Sequence, residues 1–272
     1  MASKNLVVMP FGRKSLRSPW LTDTVERDFD VVLLCYHDMP GDPHVGHTGL
    51  TAFQLNDFKW WMIADLFERA APDLLTRYDN FYFIDDDIET DKQAINFLFD
   101  CFERAPVRLA QPALTRDSFM SWKALRAQPL SGHRYVSSVE LMCPLMKRDA
   151  LQALLPIFKV TKSGWGVDLL WGQQMLDKFG PDQISVFDVV KVRHGRPVGK
   201  GELYDKLDTT AKAEEDFVRS TYGLAEFKIR QTGSLKNAFP ARFMSWLVYQ
   251  QRKFQQRRFQ PRGLEPRYSE PV

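Results

Sequence analysis

Up to about residue 200 the chain alternates short, unbroken apolar runs with longer stretches of helical period. Leu6-Val7-Val8-Met9, stopped by Pro10-Phe11-Gly12, and Val31-Val32-Leu33-Leu34, ending at His37-Asp38, have the continuity of strands buried on both faces. Phe81-Tyr82-Phe83-Ile84 is another such run, and it ends in Asp85-Asp86-Asp87. Leu109 to Ala113 and Ile184 to Val192 predict further strands, and Val136 to Met146 is strand-like with a lone acid, Glu140, inside it. Apolar residues at helical spacing predict helices from Asn56 to Ala71, Lys92 to Glu103, Asp149 to Leu155 and Gly166 to Phe179, the last stopped by Gly180-Pro181. Residues 38–50 and 115–134 read as loops.

The final seventy or so residues differ in character. A helix near 208–222 is closed by Gly223, and another from about Pro240 sets Phe243, Trp246, Leu247, Tyr249 and Phe254 among Arg252, Lys253, Arg257 and Arg258. Strands alternating with helices predict an α/β domain, a mixed sheet flanked by helices, over residues 1–200. Residues 201–272 read as a helical, basic extension. The aromatic and basic mix of the last helix suits peripheral contact with an anionic membrane surface.

Composition narrows the class. A hydrophobic fraction of 44% with 26% charged residues is that of a folded globular chain, and 20 Phe, 7 Trp and 8 Tyr supply a large core. The formal charge of +3 is too small to imply nucleic-acid binding. Cys35, Cys101 and Cys143 are widely spaced in apolar surroundings, which predicts buried reduced thiols in a cytoplasmic protein. The run after Asn5 is too short for a secretion signal, and no window approaches the roughly 20 apolar residues of a membrane span.

Chemistry concentrates at three places. Three adjacent carboxylates repel one another unless a cation or hydrogen-bond donors hold them, and hard oxygen ligands suit Mg²⁺ or Mn²⁺ shared with a phosphate. Strand alternation would aim Asp85 and Asp87 at one target and Asp86 elsewhere. Asp168 opens a helix behind Gly164-Trp165-Gly166, and His194 ends the last core strand between Arg193 and Arg196, both suited to phosphate. In open α/β sheets ligands bind beyond the carboxyl ends of strands, where the triplet and His194 can converge. From position alone Asp38 and Lys59 are candidate nucleotide contacts, and the basic stretch Arg13 to Arg17 suits an anion. His44, His47 and Asp42 form a weaker metal candidate in the first long loop.

Taken in order, these pieces resemble the GT-A glycosyltransferases. More narrowly, they resemble a domain-of-unknown-function family of bacteria and plants whose plant members are called lysine-ketoglutarate reductase trans-splicing-related. The resemblance rests on Asn5–Gly12, Phe83-Ile84-Asp85-Asp86-Asp87, Gln111-Pro112-Ala113-Leu114, Val139-Glu140-Leu141-Met142, Gly164-Trp165-Gly166-Val167-Asp168 and Val192-Arg193-His194-Gly195. It implies a metal-dependent transferase that moves a sugar from a nucleotide-diphosphate sugar to a hydroxyl of a glycan or lipid-linked acceptor, with inversion. It further implies that Asp85, Asp87 and His194 hold Mn²⁺ or Mg²⁺ and that Asp86 reaches the ribose. Pro10, Phe11 and Gly12 would contact the nucleotide, Glu140 and Trp165 the acceptor, with the Trp165 ring able to stack on a sugar, and Asp168 would be the general base.

Two other readings fit the same residues. A haloacid-dehalogenase-like phosphatase would use Asp85 as nucleophile, although that motif generally begins its chain. A non-catalytic nucleotide-sugar or glycan-binding module would keep the site without turnover.

Overall fold

The computed structural model describes residues 4–13, 15, 19–22, 26–37, 50–129, 131–200 and 202–234. The histidine-bearing loop and the basic helix expected from Pro240 lie outside the described residues, as does its membrane contact.

Strands β1 (Asn5–Phe11), β2 (Asp30–Cys35), β3 (Leu50–Gln54), β4 (Asn80–Phe83), β5 (Ile88–Glu89), β6 (Leu109–Leu114), β7 (His133–Val136), β8 (Leu145–Lys147), β9 (Ile184–His194) and β10 (Gln231–Ser234) build a mixed sheet. Its order is β10-β7-β9-β6-β8-β4-β1-β2-β3, with β5 paired to β9. The β1, β2, β3 and β4 pairings are parallel, β6 runs parallel to β9, and β8 is antiparallel to both β4 and β6. The carboxyl ends of β1, β2, β4, β6 and β9 therefore share one edge of the sheet.

Helices are α1 (Pro19–Thr22), α2 (Lys59–Asp65), α3 (Leu74–Arg77), α4 (Lys92–Arg104), α5 (Arg148–Leu154), α6 (Val167–Phe179), α7 (Glu202–Asp205) and α8 (Ala211–Thr221). The two-residue period of β4 shows how they flank the sheet. Phe81 and Phe83 turn toward Phe67 and toward Trp60 on α2, while Tyr82 between them meets Phe99 of α4 on the other face. All four residues of β4 are buried, which is why it reads as a continuous apolar run rather than an alternating one. Helix α4 begins where the Asp91 side chain accepts the Ala94 N–H at 2.7 Å, and it buries Ile95, Leu98, Phe99 and Phe102 as expected.

Three expectations need correction. Strand β3 falls where the sequence suggested only a loop running into a helix. It is an edge strand with Leu50 alone fully buried, so it lacks an apolar run. The single strand expected over Val136 to Met146 is instead the end of β7, a buried irregular segment and the start of β8. Val139 and Cys143 are fully buried there, but the backbone bonds to scattered partners. The Gln111 side chain accepts from Glu140 N, Trp171 Nε1 donates to Val139 O, and Asp85 N donates to Met142 O. Apolar burial without a ladder mimics a strand in sequence. Finally, Cys35 and Cys143 are buried but Cys101 is only half-buried; none of the three forms a disulfide.

The residues after 200 also contribute to this sheet: β10 pairs with β7, and α8 packs on α6. No helix among the described residues is long and apolar enough to cross a membrane.

Register slips between Pro112 and Ala113, where proline has no N–H to continue the ladder, and β9 bulges opposite it. Asp188, within the bulge, meets Arg134 of β7 at 2.7 Å, with both side chains essentially inaccessible. Arg134 also donates to the carbonyls of Ala124 and Arg126, tying down the 115–134 segment. Arg134→Met should cost about 3–5 kcal/mol in urea unfolding, because Asp188 is left buried without a counter-charge. A loss under about 1 kcal/mol would mean the pair is dispensable.

Candidate active site

At the shared carboxyl edge lies a cavity of about 720 Å³ lined by Pro10, Lys59, Asp85, Asp86, Asp87, Glu140, Trp165, Asp168 and His194 among others. Most of the expected site residues therefore come together. Phe11, Gly12 and Arg193 are not among the lining residues, and Asp38 lies outside the described residues.

The three aspartates separate at the end of β4. Ile88 N donates to Asp85 O at 3.2 Å, closing a turn, so the strand alternation that would aim Asp85 and Asp87 at one target stops at Asp85. Each carboxylate then finds its own partner. Lys59, in the first turn of α2, reaches Asp85 Oδ1 at 2.5 Å and donates to Leu141 O at 2.6 Å. Asp86 Oδ2 accepts from Ser15 Oγ at 2.5 Å and from Tyr36 OH at 3.0 Å, and Arg196 stands 3.8 Å from Oδ1. Burial pushes the Asp86 carboxyl above its ordinary range, with the Ser15 hydrogen bond opposing.

Gly12 acts through this cluster rather than from the cavity wall. Its N–H donates to Ser15 Oγ at 2.7 Å, and a Cβ on it would lie 2.3 Å from the Tyr36 ring.

Asp87 Oδ2 lies 3.3 Å from His194 Nε2. His194 Nδ1 is 2.7 Å from Phe119 O, and because a carbonyl only accepts, Nδ1 carries hydrogen. Nε2 is thus left to bind a proton or a metal beside the carboxylate. Burial lowers the affinity of this imidazole for a proton, but the Asp87 hydrogen bond and charge outweigh it and leave the pKa raised. Asp87 Oδ1 is buried with no hydrogen-bond partner. An orphaned carboxylate oxygen beside an oriented imidazole fits a divalent cation. Asp85, the third expected ligand, pairs with Lys59.

Two further acids, Asp168 and Glu140, line the cavity. Asp168 is in the first turn of α6, behind Gly164 (φ 85°) and Gly166 (φ 86°). A Cβ on Gly166 would stand 2.8 Å from Val218 of α8, so the turn needs glycine for both conformation and space. Glu214 of α8 holds the loop before it, accepting from Lys162 N at 3.0 Å, Ser163 N at 2.8 Å and the Ser163 hydroxyl. Trp165 Nε1 donates to Tyr204 OH at 3.0 Å. Asp168 accepts from Leu169 N at 3.0 Å, and burial, with Glu215 nearby, pushes its carboxyl up to about 7.

Glu140 Oε1 accepts from Ser121 N at 2.8 Å and Trp122 N at 2.9 Å, while its buried Oε2 has no partner. Burial raises Glu140 to about 7 despite those bonds. Arg193 pairs with Asp117 at 2.9 Å and with Glu89. The lining cations are instead Lys59, Arg196, Lys200 and Lys206. Lys200, Lys206 and Tyr204, all lining the cavity, carried no sequence signal, and neither did Tyr36 or Ser15 beside Asp86.

No protein-family model and no curated protein matches this sequence. Among solved structures, the chain is similar to S. aureus TarS in complex with UDP. Identity is 12%, covering 80% of this chain and 70% of that one, with a TM-score of 0.47. It is also similar to glucosyl-3-phosphoglycerate synthase from Mycobacterium tuberculosis in complex with Mn²⁺, UDP and phosphoglyceric acid. There identity is 13%, covering 85% of this chain and 87% of that one, with a TM-score of 0.48. Both scores lie below 0.5, so the functional reading rests on the site itself.

Asp168 and Glu140 ionise later in the folded chain than in the unfolded one. The folded state therefore holds more protons between the ordinary carboxylate range and about pH 7, and stability falls as pH rises through that window. Asp168→Asn should raise unfolding free energy at about pH 8 by roughly 2–4 kcal/mol and leave it nearly unchanged near pH 4. Chemical denaturation at the two pH values checks this; a variant less stable than wild type at the higher pH would contradict it.

Proposed function

We propose that the protein is a metal-dependent glycosyltransferase that takes its sugar from a nucleotide-diphosphate donor. The observation that carries this reading is the sharing of one cavity by two kinds of group. One is an Asp87–His194 pair with an orphaned carboxylate oxygen, flanked by Lys59 and Arg196. The other is Asp168, a buried carboxyl poised near neutrality. The first suits a charged leaving group and the second suits proton removal from an acceptor.

In this reading Asp87 and His194 hold Mn²⁺ or Mg²⁺, which when bound supplies charge neutralisation to the departing nucleoside diphosphate. Lys59 and Arg196 place further positive charge in the same cavity. Asp86 ties Ser15, Tyr36 and Arg196 together and so shapes the nucleotide pocket; the ribose contact expected of it uses Oδ1, since Oδ2 already accepts two hydroxyls. Pro10 and Tyr36, both lining the cavity, complete that pocket.

Asp168 accepts the proton of the acceptor hydroxyl as the oxygen attacks the anomeric carbon, breaking the bond to the diphosphate and inverting configuration. Glu140 and Trp165 shape the acceptor side, Glu140 by fixing the Ser121–Trp122 backbone and Trp165 by offering its ring. The acceptor is a hydroxyl of a glycan or lipid-linked saccharide.

A base that must be ionised gives a rate that climbs with pH. With Asp168 at about 7, kcat/KM should rise about tenfold per pH unit below neutrality and level off above it. A pH-independent rate between about 5.5 and 8 would remove Asp168 from the proton transfer.

The donor class is found by a thermal-shift screen of nucleoside diphosphates and nucleotide sugars with and without Mn²⁺. A selective, metal-dependent rise in midpoint is expected. In the responding pair, Asp168→Asn should abolish transfer while keeping metal-dependent nucleotide binding. Equal transfer by variant and wild type would sink the base assignment. Phosphate release from phosphorylated metabolites, with no response to any nucleotide, would favour the phosphatase reading.

A further inference from the structure

The first aspartate of the triplet carries its own counter-ion. Lys59 Nζ sits 2.5 Å from Asp85 Oδ1, 2.6 Å from Leu141 O and 4.9 Å from the centre of the Trp60 ring. A carboxylate, a carbonyl and an aromatic face thus fix the ammonium, whose side chain is only 12% exposed. An ammonium has three N–H donors, and two are used by Asp85 and Leu141, which leaves one for a ligand. Both Lys59 and Asp85 line the cavity.

We infer that Lys59 is a resident cation of the donor site: it neutralises Asp85, keeps that carboxylate out of the metal's coordination, and presents a fixed positive charge to the donor diphosphate. This deepens the transferase reading and rests on it. Drawing Asp85 into a metal's coordination would strip a partly buried ammonium of its counter-ion, which opposes such a move. Asp87 is in the reverse situation, with Oδ1 buried and unpartnered and Oδ2 beside an imidazole whose Nδ1 is already committed to Phe119 O. Among the described residues no group of three or more His, Cys, Asp or Glu is disposed to hold a metal ion. The positive charge facing the diphosphate is therefore divided between Lys59, which never leaves, and an exchangeable cation held by Asp87 and His194.

The test is direct Mn²⁺ titration by paramagnetic resonance and calorimetry, which needs no turnover. It is run with saturating UDP, or with whichever nucleoside diphosphate gives the largest thermal shift, and again without nucleotide. Asp85→Asn should change Mn²⁺ affinity by less than about threefold, and Asp87→Asn should weaken it by more than about tenfold. Lys59→Met should weaken nucleotide binding and tighten Mn²⁺ binding without nucleotide, because Asp85 is released as a ligand. The Lys59→Met/Asp85→Asn double variant should lose that gain.

Equal losses in Asp85→Asn and Asp87→Asn would overturn the inference while leaving a metal–nucleotide site in place. A Lys59→Met variant that does not tighten Mn²⁺ binding would overturn it too. Should that variant not fold, the comparison of the two aspartate variants decides the matter. If wild type binds no Mn²⁺ even with a nucleotide, the transferase reading fails, and the inference falls with it.

Discussion

Carboxyl groups crowded at one edge of a sheet are the constraint around which this molecule is organised. Asp85, Asp86, Asp87, Glu140 and Asp168 all line a single cavity. Left together without partners they would repel one another and resist burial. Each is held differently: by an ammonium, by two hydroxyls with a guanidinium nearby, by an imidazole, by a pair of backbone amides, and by one amide in the first turn of a helix. Burial pushes Asp168 and Glu140 up to about 7 and Asp85 to about 6, against the bonds that each accepts. Poor solvation that costs stability is what gives a base its reach at neutral pH.

Those partners come from distant parts of the chain. Ser15 and Tyr36 follow β1 and β2, Lys59 opens α2, Phe119 and Ser121 belong to the segment after β6, and Arg196 follows β9. Helix α8 forms the support behind Asp168 through Glu214 and through Val218 against Gly166. The buried Arg134–Asp188 pair does comparable work for the segment that carries Ser121 and Trp122. The site is thus assembled by long-range ties across a sheet that brings its strand ends to one edge.

Much of this was legible in the sequence where burial is two-sided. The runs in β1, β2 and β4 are continuous because both faces are covered, β6 and β9 are buried over most of their length, and α4 and α6 carry clear caps or glycine stops. Strand β3 was hidden because an edge strand needs no apolar run, and the buried Val139–Cys143 segment passed for a strand because periodicity reports burial, not hydrogen bonding. For the site, the residue types were visible but not their partners. Nothing in Asp85-Asp86-Asp87 shows that a turn splits the triplet, or that Lys59 lies next to Asp85. Arg193 and Arg196 look equivalent in sequence. Only the second lines the cavity, because the first lies on β9 where it pairs with Glu89 of β5 and with Asp117.

In the proposed transfer one group of residues holds a leaving diphosphate while Asp168 takes the proton of an attacking hydroxyl. That division of labour dictates stereochemistry, because a base serving direct attack needs no enzyme-bound sugar in between. Proton NMR of the newly formed anomeric centre, recorded early in turnover with the donor identified by nucleotide screening, reads it directly. The account predicts a linkage of configuration opposite to that of the donor. A linkage that retains the donor's configuration would contradict it.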